Sequence, residues 1–180
     1  MEIIDSPLEG VLVIKPEVWS DERGYFKEIF QLHRYFGVGV ELPLVQDNFS
    51  KSTRGVLRGL HFQRNKPQGK LVSCLRGTIF DVVIDINQES STFGEYFAIE
   101  LSEDNHLQVW IPPGYAHGFC VVSSSAMVHY KTSDYYDPHD EGGIIWDDPE
   151  LSISWPIKSP KLSPKDLRWP RLEEFLGNFK

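Results

Sequence analysis

A mostly-β fold, a sandwich or jelly roll, is what this sequence predicts, and three observations predict it. Aromatic residues reach 13% (11 Phe, 7 Tyr and 5 Trp), and such side chains suit pleated, half-buried surfaces. Short β-branched or aromatic runs follow one another with turn residues between them, rather than alternating with long helical patterns. A chain of 180 residues can also bury about 70% of its unfolded surface, so it can build a core without disulfide staples. One domain over residues 1–180 is therefore expected, mostly β with a few short helices, chiefly C-terminal.

In chain order, residues 11–14 are apolar and stop before Pro16, and Asp21-Glu22-Arg23-Gly24 reads as a turn. Residues 31–36 suit a short helix. A strand is read through Gly55-Val56-Leu57-Arg58-Gly59-Leu60-His61-Phe62-Gln63. Further strands follow at 71–75, 79–86, 96–101, 107–111, 119–122 and 127–132. Their dividers are Arg76-Gly77, residues 87–94 and 102–105, Pro112-Pro113-Gly114 and residues 123–125. Ser163-Pro164 resembles an N-cap followed by proline at the first helical position, which predicts a helix over 163–176. The proline-rich stretch 156–170 reads as an ordered wrap over the sandwich.

Composition narrows the function. With 18 Lys and Arg against 26 Asp and Glu the net charge is −8, which speaks against nucleic acid as a partner. An anionic small molecule stays open, because a few cations can reverse the field inside a pocket. No apolar run reaches the ~18–20 residues of a membrane span, and MEIIDSPLEG lacks a basic-then-apolar leader, so a cytoplasmic protein without a membrane partner is expected. Cys74 and Cys120 form no CxxC pair and read as buried, reduced thiols. Asn48-Phe49-Ser50 fits a glycosylation pattern that matters only on secretion. Gly37-Val38-Gly39 lacks the third glycine of a dinucleotide loop, so no cofactor is expected.

Two segments could carry chemistry. In a regular strand Arg58 and Leu60 point one way while Gly59, His61 and Gln63 point the other. A histidine in that setting is a candidate general base, since an ordinary imidazole titrates near ~6.5; a hydrogen-bonded core histidine is the competing reading. The second segment, Pro112-Pro113-Gly114-Tyr115-Ala116-His117, sets a strand beginning at His117 behind a tight turn. Its PxGxxH pattern resembles the second motif of the cupin superfamily, a small jelly-roll barrel. Many cupins hold a metal through an HxH pair, a glutamate and this later histidine. Here His61-Phe62-Gln63 stands in place of HxH, so no metal is expected. Asp137-Pro138-His139-Asp140-Glu141 reads as a solvated acidic loop.

More specifically, the chain resembles the dTDP-4-dehydrorhamnose 3,5-epimerase family of metal-free, cupin-fold nucleotide-sugar epimerases. The resemblance is carried by DERGYFKE, VQDNFSKS, GVLRGLHFQ, QGKLVSCLRG, IFDVVIDI, STFGEY, WIPPGYAHGF, YKTSDYY, DEGGIIWDDPEL, ISWP and LSPKD, in the family's order from Leu8 to Asp166. It implies a cupin-type jelly-roll barrel or sandwich acting on dTDP-4-keto-6-deoxy-D-glucose, with inversion at C3 and C5 beside the C4 ketone. That reaction needs a base, a group that steadies the enolate oxygen, and an acid for the opposite face. The resemblance implies His61 as base, Asp166 as its carboxylate, Tyr130 as acid and Lys70 as the cation near the enolate. It implies Arg58 and His117 in the sugar pocket, and Arg23, Glu28, Gln46, Asn48, Glu141 and Lys165 as groups that hold the nucleotide or frame the pocket. Tyr136, in the Tyr135-Tyr136 pair, is implied near the sugar, with one of the two packing if they lie on a strand. A homodimer is implied as well, with Arg23 serving the neighbouring site. Competing readings are an epimerase acting at one centre, a related keto-isomerase, a metal-dependent cupin oxygenase, and a non-catalytic sugar-nucleotide binding module.

Overall fold

The computed structural model describes residues 1–177. Thirteen strands run in the order β1 (Glu2–Asp5), β2 (Leu12–Lys15), β3 (Val18–Asp21), β4 (Gly24–Lys27), β5 (Gln46–Thr53), β6 (Leu57–Gln63), β7 (Lys70–Arg76), β8 (Thr78–Asp85), β9 (Tyr96–Ser102), β10 (Gln108–Ile111), β11 (Tyr115–Val121), β12 (Ser125–Thr132) and β13 (Glu141–Gly143). Helix α1 (Leu32–Phe36) precedes β5, and a 3-10 turn (Asp166–Arg168) and α2 (Leu172–Gly177) follow β13. A six-stranded sheet, β1-β2-β10-β7-β12-β5, faces a five-stranded sheet, β13-β6-β11-β8-β9, and β3-β4 form a separate hairpin. All of these strand pairs are antiparallel, and the two main sheets make the expected cupin-type sandwich.

Three apolar clusters explain why the strands stay together. Val72, Cys74, Val83, Val109, Phe119, Val121 and Val128 fill the space between the sheets at one end. Ile14, Tyr35, Leu71 and Trp110 seal the outer face of the six-stranded sheet under α1. Leu60, Phe62, Val82, Ile84 and Ala116 face outward from the five-stranded sheet and are covered by Leu151, Trp155, Leu172 and Phe175. The stretch 156–170 itself runs over the sandwich as its prolines suggested, with Lys161 bridged to Val56 and the Ile145 amide donating to the Pro170 carbonyl. Both cysteines are free and buried.

Three local expectations need correction. The helix read over 163–176 is split into a single 3-10 turn and α2. Trp169 between them is extended (φ −64°, ψ 145°), because the ring of Pro170 disfavours a helical conformation in the residue before it. The start signal at Ser163 survives as a cap, with the amide of Asp166 donating to its Oγ at 3.1 Å. Tyr135 and Tyr136 lie beyond the end of β12, not on a strand. Asp140 is not solvated: it is buried and accepts hydrogen bonds from the amides of Asn65 and Lys66, which fixes that loop.

The largest departure lies in β6. Its register with β11 slips between His117↔His61 and Phe119↔Arg58, so one residue of β11 stands opposite two of β6. Gly59, at φ +132°, occupies the slip, and a Cβ there would sit 2.5 Å from the Cα of Gly118. Such a bulge reverses the in-and-out alternation of a strand. Arg58 therefore shares the inner face with His61, while Leu60 joins the outer core, contrary to the regular alternation expected of this strand.

Candidate active site

Next to the apolar core between the sheets, with Phe119 and Tyr130 on the boundary, lies a cavity of about 680 Å³. This is the size of small-molecule pockets in general. β5 contributes Gln46, Asn48 and Ser50 at every second position, which places all three on one face of the strand. β6 contributes Arg58, His61 and Gln63, β7 contributes Lys70, β11 His117, β12 Tyr130 and Thr132, and β13 Glu141. Tyr136 and residues 163–166 complete the rim.

His61 Nε2 lies 2.6 Å from Asp166 Oδ1, joining residues 105 positions apart. Asp166 is buried, yet its second oxygen accepts the Ser163 hydroxyl at 2.8 Å and its first also faces the indole N–H of Trp169 at 3.4 Å. Burial opposes the charge on Asp166, but the bonds from His61, Ser163 and Trp169 outweigh it, and the carboxyl is held below its usual range. An ionised carboxylate only accepts, so Nε2 carries the hydrogen of that bond and Nδ1 is left with the lone pair. The His61 side chain keeps 25% of its surface exposed, so the pair is open to the cavity.

Tyr130 stands on β12 and His61 on β6, that is, on opposite sheets across the cavity. Burial raises the Tyr130 phenol above its ordinary value, Arg58 works against that rise and Glu141 adds to it; the hydroxyl stays protonated at neutral pH. Lys70 is buried at the start of β7, and its Nζ donates to the backbone carbonyl of His61 at 3.1 Å. Burial pulls its ammonium down to about 8, with the charges of Asp81 and Glu141 opposing the drop.

A second histidine–carboxylate pair lies deeper. His117 Nε2 meets Asp81 Oδ2 at 2.9 Å, while Asp81 Oδ1 has no hydrogen-bond partner among the described residues. On the rim, Lys165 makes two 2.7 Å bonds to Glu141, and Glu141 accepts the Tyr136 hydroxyl at 3.0 Å. Burial and Glu141 push that phenol up to about 12. Gln46 accepts the backbone amide of Tyr136 and donates to Asn48, and Arg58 donates to Ser52.

Of the residues singled out in the sequence, His61, Asp166, Tyr130, Lys70, Arg58, His117, Gln46, Asn48, Tyr136, Glu141 and Lys165 converge on this cavity. Arg23 and Glu28 do not line it. Arg23 projects from the tip of the β3-β4 hairpin, paired with Asp21, and Glu28 pairs with Arg34. As residues of the site, Asp81, Ser163 and Trp169 escaped the sequence reading, which saw Ser163 only as a helix cap. Asp81 had a signal, a lone carboxylate inside the apolar run Ile79-Phe80-Asp81-Val82-Val83, whereas nothing near Trp169 announces its contact with Asp166. Among the described residues no group of three or more His, Cys, Asp or Glu side chains could hold a metal ion.

A cupin-type sandwich opening onto a polar, histidine-bearing pocket defines the class: a small-molecule enzyme of the cupin fold. The chain belongs to the dTDP-4-dehydrorhamnose 3,5-epimerase family, whose model matches residues 5–174. It is 48% identical over 174 residues to the dTDP-4-dehydrorhamnose 3,5-epimerase of Methanothermobacter thermautotrophicus, covering 95% of this chain and 94% of that one. A crystal structure of dTDP-6-deoxy-D-glucose-3,5-epimerase from Legionella pneumophila, in complex with dTDP-4-keto-L-rhamnose, is 47% identical and superposes with a TM-score of 0.93 over 96% of this chain and 93% of that one. The dTDP-4-dehydrorhamnose 3-epimerase of Streptomyces niveus is 42% identical over 161 residues, covering 88% of this chain and 78% of that one.

Proposed function

We propose that this chain converts dTDP-4-keto-6-deoxy-D-glucose to dTDP-4-keto-L-rhamnose by inverting C3 and C5, with His61 as base and Tyr130 as acid. The observation that carries this reading is the placement of the two groups on opposite walls of one cavity, with His61 held by Asp166. A base on one face and an acid on the other is what inversion at carbon requires. His61 Nδ1 removes the proton beside the ketone, and Asp166 stabilises the imidazolium that forms. The electrons move onto the C4 oxygen, where the buried Lys70 ammonium meets the developing charge. Tyr130 then delivers its proton to the opposite face; His61 releases the proton it took to solvent, Tyr130 takes one back, and the cycle repeats at the second carbon.

The remaining residues bind. Arg58 and His117 hold the sugar with Tyr136 beside it, while Gln46, Asn48, Glu141 and Lys165 hold the nucleotide or frame the pocket. The chain acts as a homodimer in this account. Among the described residues the β3-β4 hairpin pairs with no other strand, and it leaves Trp19, Tyr25 and Phe26 exposed, an apolar patch suited to a second copy. From there Arg23 and Glu28 serve the neighbouring cavity, where the Arg23 guanidinium can reach a diphosphate with two donors at once.

Incubation with dTDP-4-keto-6-deoxy-D-glucose in deuterated water, followed by NMR of the sugar, tests the reaction. Deuterium is expected at both C3 and C5. Label at one carbon alone after long incubation assigns the chain to the single-centre epimerases, of which the Streptomyces niveus relative is an example by name.

A further inference from the structure

Asp166 is held from three sides, and two of the three donors lie outside the proposed catalytic set. Ser163 Oγ binds Oδ2 at 2.8 Å and also accepts the Asp166 amide at 3.1 Å, so it fixes both the side chain and the turn that bears it. The Trp169 indole N–H shares Oδ1 with His61 and meets the imidazole edge-on, 6.1 Å between ring centroids at 71°. Trp169 can lie there because Gly143, the register partner of His61 on β13, has no side chain: a Cβ would come within 2.5 Å of the indole ring.

We propose that Ser163 and Trp169 are positioning residues that set the proton affinity of His61 by holding both oxygens of Asp166. The inference rests on the reading of His61–Asp166 as the base pair. Each donor draws negative charge away from the carboxylate and so weakens its hold on an imidazolium. With both in place the imidazolium is held less tightly, so His61 gives up its proton more readily than it would beside a carboxylate without those donors. Among the described residues, the other charged or titratable groups that share the cavity with the imidazole are Arg58 on β6, Lys70 on β7, His117 on β11 with Asp81 of β8 behind it, Tyr130 on β12, and Glu141 with Lys165 on the rim. None of them changes in the variants below.

The test is an NMR titration of ring-labelled histidines in the intact enzyme, wild type against Ser163→Ala, Ser163→Thr and Trp169→Phe, with His61 assigned by its loss in His61→Asn. Ser163→Ala and Trp169→Phe are expected to raise the His61 midpoint by about half a pH unit each, and Ser163→Thr to keep the wild-type value by retaining the hydroxyl. The acid limb of solvent exchange into substrate should move upward with the midpoint, while KM in Trp169→Phe stays unchanged. An unmoved or lowered midpoint in both variants, whatever happens to melting temperature, overturns the proposal. The reading beneath it fails separately: turnover that survives His61→Asn removes His61 as base, while a raised midpoint would still show that the two donors set its proton affinity.

Discussion

His61–Asp166 and His117–Asp81 use the same two side chains at similar distances, 2.6 and 2.9 Å, in opposite surroundings. The first joins a strand to the C-terminal wrap, and its imidazole is 25% exposed to the cavity. The second joins neighbouring strands β11 and β8 inside one sheet, with the histidine side chain 9% exposed and the carboxylate fully buried. The carboxylate of the first pair has both oxygens occupied, whereas Asp81 leaves Oδ1 without a hydrogen-bond partner among the described residues. A base must meet substrate, release its proton and recover, which suits the open pair. The sealed pair suits a fixed donor that orients the sugar and, through Asp81, favours the charge on Lys70. Access and what holds the carboxylate, not the residue types, separate the two pairs.

Substitutions at matching places in the two pairs sharpen this contrast. His61→Asn should abolish both solvent exchange and product formation, a loss of ~10⁴-fold or more when read by NMR of the sugar. Lys70→Met should lower kcat by ~10²–10³-fold, the scale of a lost group that stabilises an oxyanion. Wild-type turnover should also fall as pH rises through about 8, where Lys70 loses its charge. The sign for stability is the reverse. Between about 8 and the ordinary lysine value of 10.5 the unfolded chain binds more protons at this side chain than the folded one, so its penalty is full below pH 8 and is relieved as pH rises. Lys70→Met should therefore raise the melting temperature at pH 7 and flatten that alkaline gain. Asp81→Ala should act mainly on stability: leaving the buried His117 donor unpaired costs ~1–3 kcal/mol, seen as a drop of several degrees in melting temperature. Turnover should fall less than in His61→Asn. If Asp81→Ala matched His61→Asn in lost exchange at unchanged stability, the roles of the two pairs would have to be exchanged.

The two pairs also differ in how far the sequence revealed them. Both histidines stand in motifs that were readable, RGLHFQ and PPGYAH, because turn residues beside a histidine are distinctive. The strand pattern was legible wherever one face packs against apolar neighbours, as in β7, β8 and β12. β5 was not, because its inner face is Gln46, Asn48, Ser50 and Ser52: the strand lines the pocket and carries no apolar alternation. The placement of Arg58 beside His61 was hidden because a one-residue slip at Gly59 is set by its partner strand, not by local composition. Partners such as Asp166 and Trp169 depend on where the C-terminal wrap lands, which only the family resemblance could suggest for the first and nothing suggested for the second.

Division of labour across the cavity is the central claim, and Tyr130→Phe in deuterated water tests it most directly. The substitution keeps the ring and its packing while removing the hydroxyl. Product formation should slow by ~10²–10⁴-fold, as for a lost general acid. Deuterium should still enter beside the ketone without inversion, because His61 on the other wall can remove a proton and return one to the same face. Wild-type product formation by Tyr130→Phe, or loss of exchange together with product, would contradict the account.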